Sequence, residues 1–264
     1  MMKIVSIVSS YRQDGNTERI VEALENSIAK MAEVQSVPME IEHIFLNKEN
    51  IQLCCGCRVC FDRGEQYCPR KDNILKIRNA IESADGIILA SPVYAEDVNG
   101  LMKNWIDRMA FNCHRPAFYG KHAVILTTSG AGSSNHSLST MKNVLNSWGF
   151  TIESQSKYRM GARMETEKMQ AIYGDKVKNI ASKFLKSISR NKVKNPSFYS
   201  LVAFKVQQKY YQKTANTATI DYAYWKDNGW LGVHTKYYYG LHKSNGVKTA
   251  FARIIGNAVS LFFI

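Results

Sequence analysis

No stretch of this chain approaches the roughly 20 consecutive apolar residues that a membrane-spanning helix requires. The N-terminus carries one Lys and a short apolar run without a secretory cleavage pattern, which points to the cytosol. A terminal Gly-Lys-Ser/Thr is missing from the first loop, so an ATP-type phosphate loop is excluded. That loop contains a single glycine, Gly15, which excludes a dinucleotide fingerprint as well. No recognised RNA or DNA motif is present, and nucleic acid is not an expected partner. The six histidines, His43, His114, His122, His136, His234 and His242, lack ligand spacing and read as surface or packing residues. Cysteine is almost confined to one segment, and the outlying Cys113 reads as a small buried hydrophobe. What remains is ordinary for a globular protein: 264 residues, 45% hydrophobic, enough for one α/β domain plus an appendage or two small domains.

The first thirty residues are the most telling. Lys3 to Val8 is a short β-branched run, and Ser9 to Thr17 (SSYRQDGNT) is dense in hydroxyls, amides and one Arg. Glu18 to Met31 then places Ile20, Val21, Leu24, Ile28 and Met31 at the helical period. A loop delivered by a strand and closed by a helix start can aim several backbone N–H groups, and the positive end of the helix dipole, at one anion. Ser9, Ser10, Asn16 and Thr17 add side-chain donors and Arg12 a charged one. Hydroxyls rather than Lys and metal suit a single terminal phosphate, and so a mononucleotide such as FMN. A plain capped helix, with Asn16 or Thr17 satisfying orphan amides, fits the same residues.

Five of six cysteines fall between positions 54 and 68. Cys54, Cys57 and Cys60 follow a C-x2-C-x2-C spacing, Cys55 sits inside the run, and Cys68 completes it before Pro69. In a cytosolic chain such clustering argues for metal or redox chemistry over disulfides. Three-residue steps let thiolates converge on a 4Fe-4S cluster. Tetrahedral zinc and an empty set of thiols are the competing readings.

Strands and helices then alternate. Strands are expected at Met39–Leu46, Gly86–Ala90, Ala123–Thr128 and Phe150–Tyr158, with helices at about 72–83, 100–110, 137–148 and 165–189. This is the pattern of an α/β doubly wound parallel sheet, whose ligands sit beyond the carboxyl ends of the strands. Three loops would meet there. Ser9–Thr17 offers phosphate donors, Ser91–Val98 an aromatic ring on a stiff turn, and Thr128–Gly132 glycines that let a flat ring approach. Each is also readable alone as a turn or hinge.

At these residues the chain resembles the NAD(P)H-dependent FMN reductase and iron–sulfur flavoprotein families. Their phosphate loop reads roughly G-S-x-R-x-x-G-N-T, with Ser9 here in place of Gly. A second signature, S-P-V-Y followed by M-K-x-x-I-D-R, matches SPVYAEDVNGLMKNWIDR, although Ala95-Glu96 departs from the usual aromatic and small pair. The likeness covers about residues 2–190. It implies a flavodoxin-like fold with five parallel strands in the order 2-1-3-4-5. It implies an FMN phosphate on Ser10, Arg12, Asn16 and Thr17. The isoalloxazine would lie against Pro92, Val93 and Tyr94 and near Thr128, Ser129, Gly130 and Gly132. Cys54, Cys57, Cys60 and Cys68 would be the ligands of any cluster, a feature of some members only. The implied activity is hydride transfer from NAD(P)H to the flavin and on to a flavin, quinone or small electron carrier, without a side-chain nucleophile. Alternatives are an electron-transfer flavoprotein without small-molecule turnover, and a cysteine-based redox sensor. A homo-oligomer, dimer or tetramer, is expected.

Residues 191–264 depart from that pattern. Asn195-Pro196 marks a boundary, dividing the chain into 1–190 and 191–264. The second part holds ten Lys or Arg and two Asp, a net +8, most simply a solvated face, although an acidic partner or anionic lipid would also suit it. Helices are expected near 197–213, 217–228 and 247–263, with Trp225, Trp230 and Tyr237–Tyr239 packed on the core or on another subunit. In the last helix Phe251, Ile254, Ala258, Leu261 and Phe262 form one face, expected to dock on its own chain or on a second copy. Peripheral membrane contact through this helix is the alternative.

Overall fold

The structure, a computed structural model, describes residues 1–190, 194–214, 219–238 and 245–263. Five parallel strands form its centre: β1 (Met2–Val8), β2 (Met39–Phe45), β3 (Gly86–Tyr94), β5 (His122–Ser129) and β6 (Thr151–Arg159). They lie in the order β2-β1-β3-β5-β6, so the parallel strands run 2-1-3-4-5 in chain order, as expected for a flavodoxin-like α/β sheet. The additional strand β4 (Asp97–Val98) folds back antiparallel on the end of β3, pairing Val93 with Val98 and Tyr94 with Asp97. That hairpin carries β3 four residues beyond the expected Ala90.

Alternation along each strand feeds two cores. On one face Ile4, Val8, Ile88, Ala90, Val124 and Leu126 meet α1 (Asn16–Val34) and α6 (Thr166–Arg190). On the other Val5, Ile7, Ile87, Leu89, Ala123 and Ile125 meet α3 (Ile74–Ser83), α4 (Gly100–Arg108) and α5 (Asn135–Trp148). Every residue of β5 is buried, which is why its centre, Ala123–Leu126, is continuously apolar rather than alternating. Gly86 opens β3 under α6, where an added Cβ would stand 2.7 Å from the Phe184 ring.

Beyond α6 come α7 (Phe198–Lys213), α8 (Ile220–Asp227) and α9 (Gly246–Phe263). Trp225 is fully buried, with the rings of Phe204, Tyr211, Trp230 and Tyr238 all within 5.5 Å of its own. Trp225 and Trp230 are thus buried, but in an aromatic cluster of the extension itself rather than on the sheet's two cores, and Tyr237 is half-buried. Residues 217–218 of the expected helix, with Tyr239, Leu241 and His242, lie outside the described residues. The apolar face of α9 does not dock on the described chain. Phe251, Ile254, Leu261 and Phe262 are 61%, 65%, 77% and 86% exposed, and Ala258 is exposed too. The small face of Thr249, Ala252, Gly256 and Ser260 is buried instead. At Gly256 an added Cβ would come within 2.6 Å of Lys205 Cβ on α7, so the two helices approach more closely than large side chains permit. No helix among the described residues is long and apolar enough to cross a membrane.

Candidate functional site

The carboxyl ends of β1, β3, β5 and β6 converge on one cavity of about 500 Å³. Ser10, Arg12, Asn16, Thr17, Pro92, Val93, Tyr94, Thr128, Ser129 and Gly130 line it, ten of the eleven residues singled out from sequence. The eleventh, Gly132, stands outside the lining, and a Cβ added there would face Glu96 Oε1 at 3.2 Å. Gly15, Ala95, Gly161 and Ala162 complete the wall and were missed. Gly161-Ala162 follows β6, so the rule that ligands gather at strand carboxyl ends covers it once a fourth loop is counted.

Local chemistry explains the shape. Ser10 Oγ accepts from Arg12 N at 3.1 Å, curling the chain into a tight turn. Gly15 closes that turn at the N-cap of α1, where a Cβ would lie 3.1 Å from Arg12 Cβ and 3.2 Å from its carbonyl oxygen. The amides of Asn16 and Thr17 open α1 and have no acceptor within the helix. Thr17 and Thr128 join α1 to β5 through a 2.6 Å hydroxyl–hydroxyl bond, both residues being buried. Asn16 is fully engaged: its amide donates to the carbonyls of Met160 and Gly161, and Oδ1 accepts from Met164 N at 2.9 Å. Arg12 Nη1 donates to Ala162 O at 3.4 Å. Both side chains therefore stitch the first loop to the fourth. Buried Asn99 holds the neighbouring corner, donating to Ser9 O while its Oδ1 caps α4 through Met102 N. At the opposite wall the β3–β4 turn places Ala95 and Glu96 at φ +46° and +71°, the left-handed region.

These features fit a nucleotide monophosphate. The first residues of α1, whose amides have no acceptor within the helix, line the cavity beside Ser10, and Gly130 offers open backbone, an added Cβ meeting the Gly161 carbonyl at 3.9 Å.

The cysteine segment lies at the other end of α4. Asn104 Oδ1 accepts from Cys54 N at 3.1 Å, and Arg108 binds the Gln52 and Arg70 carbonyls and Asp72. A four-residue helix, α2 (Val59–Asp62), carries Cys60. Cys54, Cys55 and Cys57 are exposed, Cys60 and Cys68 half-buried, and all five border one small recess. Burial pushes the Cys60 thiol up to about 11. Yet no group of three or more His, Cys, Asp or Glu among the described residues is placed to hold a metal ion. The thiols supply the right chemistry for a cluster but not, in this arrangement, the geometry. Cys113 is half-buried and touches Ser147 Oγ at 3.3 Å.

A doubly wound sheet whose first loop and strand ends enclose one cavity has the fold of the flavodoxin-like flavoproteins. More narrowly, the chain belongs to the NADPH-dependent FMN reductase family, whose model matches residues 2–161, and it is an NAD(P)H-dependent FMN oxidoreductase. Among its relatives are an iron-sulfur flavoprotein of Archaeoglobus fulgidus, 28% identical over 87% of this chain and 100% of that protein, and one of Clostridioides difficile, 28% identical over 76% and 85%. The fold is shared with the solved FerB, an NAD(P)H:(acceptor) oxidoreductase from Paracoccus denitrificans. That structure has a TM-score of 0.53 and 17% identity over 72% of this chain and 99% of that one. A solved NADH:FMN oxidoreductase gives a TM-score of 0.50 and 22% identity over 75% and 97%.

Proposed function

We propose that FMN binds in the cavity between the β1–α1 loop and the ends of β3, β5 and β6, and that the protein passes electrons from NAD(P)H to a flavin, quinone or small electron carrier. The convergence of four loops on one cavity carries this reading. When bound, FMN supplies the hydride-accepting chemistry. The chain's own residues do the rest. Ser10, Thr17 and the first amides of α1 hold the phosphate. Arg12 adds charge, and Asn16 keeps the loop closed. Pro92, Val93 and Tyr94 form one wall for the ring, with Thr128, Ser129 and Gly130 on the other side. In this division residues 1–190 carry the cofactor and 191–264 form an extension, whose exposed α9 face is the surface for self-association.

Anaerobic mixing of FMN-loaded protein with NADH or NADPH tests the proposal. Bleaching of the flavin band near 450 nm, roughly the usual position, and steady turnover with added quinone or free flavin are expected. Bleaching without turnover would favour a carrier that serves a protein acceptor. Failure to take up FMN would overturn the reading.

A further inference from the structure

Two buried arginines hold the cysteine segment, and they draw on different parts of the chain. Arg108 finds its partners, Gln52, Arg70 and Asp72, in the same stretch of sequence. Arg115 does not. Its Nη2 donates to the Cys60 carbonyl at 3.0 Å and to Glu65 Oε2 at 2.7 Å, clasping the chain from α2 to the turn that follows it. Its Nη1 donates to Asp221 Oδ1 on α8, more than a hundred residues away. Arg115 and Asp221 side chains are 7% and 5% exposed, so each is the other's principal buried counter-charge.

Asp221 is itself fixed from several directions. Its Oδ2 lies 2.7 Å from His114 Nδ1 and accepts from Tyr211 OH at 3.3 Å. The His114 ring packs 4.6 Å from Phe61, next to Cys60, and its carbonyl accepts Trp225 Nε1 at 2.7 Å. A guanidinium presents its donors in a rigid fork, so the carboxylate that fixes one arm also aims the other.

We propose that Asp221 is a positioning residue for the cysteine segment, acting through Arg115 to hold the Cys60–Glu65 turn. The helices after α6 are then part of the thiol site, and docking of α8 and order of that turn belong to one equilibrium. The proposal stands independently of the flavin assignment.

The test is thiol labelling of the full chain with iodoacetamide, followed site by site by peptide mapping. Asp221→Asn keeps the side-chain shape and removes the charge. It should speed labelling of Cys60 about tenfold, the scale of a lost charge-assisted bond, while Cys54, anchored separately through Asn104, changes by less than about twofold. Glu65→Gln cuts the same fork from the other side at a partly exposed position and should raise Cys60 labelling similarly. The double variant should add little to the larger single effect. Unchanged Cys60 labelling in the folded variants would overturn the proposal. So would a uniform rise at Cys54, Cys60 and Cys113, which reports general loosening. Should Asp221→Asn fail to fold, Asp221→Glu, which keeps the charge but displaces it by one methylene from Arg115, decides in its place: faster Cys60 labelling at unchanged Cys54 labelling upholds the proposal, and unchanged Cys60 labelling overturns it.

Discussion

Thr17 and Thr128 share a single hydrogen bond on the cavity wall, so each hydroxyl has capacity left for a ligand. Thr17→Val removes one donor without changing volume much and should weaken FMN binding about tenfold, measured by quenching of flavin fluorescence. Asn16→Ala should act differently. Its side chain serves Met160, Gly161 and Met164, so stability should fall by roughly 0.5–1.5 kcal/mol at constant cofactor, read by thermal melting, as the first loop loses its tie to the turn after β6. Residue identity was legible from sequence because hydroxyls and amides beside a helix start announce anion chemistry. Asn16's actual partners were not, since they lie well over a hundred residues downstream. Only the closed sheet brings them together.

At the scale of elements, the β3–β4 turn was hidden because Ala95 and Glu96 lack the Gly or Asn that usually signals a hairpin. Holding two such residues at positive φ is costly, and Ala95→Gly should raise the melting temperature by an amount worth about 1 kcal/mol. The helices of the extension were legible from periodicity, but not the way α9 would face. A hydrophobic stripe suggests burial, whereas close approach to α7 selects the small face at Gly256. Gly256→Val should separate the two helices and cost about 1–3 kcal/mol, read as a lower midpoint in urea with unchanged flavin binding.

At the scale of the whole molecule, the ionisation of two carboxylates among the described residues, Asp72 and Glu153, is linked to folding. Burial raises the affinity of Asp72 and Glu153 for a proton. The bonds from Arg108 to Asp72, and from His122 and Lys194 to Glu153, more than reverse this, leaving both below the ordinary values of 3.8 and 4.5. An unfolded chain therefore binds those protons more readily than the folded one. Their stabilisation is complete above the unfolded values and disappears as pH falls through the lowered folded ones. Melting temperature should stay level near neutrality and drop steeply below about pH 4.5, with a shallower drop in Glu153→Gln, as calorimetry across that range would record. The order of the parallel strands was legible because alternating strand and helix patterns leave few ways to wind a sheet. The long-range pairs were not, because Arg115 and Asp221 look like any other surface charges until α8 is in place.

Arg12 and Asn16 reach across 150 and 144 positions to the turn after β6. A ribosome making this chain therefore exposes the first loop long before its counterpart exists. The nascent protein can assemble β1, α1 and β3 early, yet the pocket has no fourth wall until Met164 has left the exit tunnel. If the pocket is the cofactor site as proposed, capture is a late event in biogenesis, and a chain halted before β6 would lack a closed pocket.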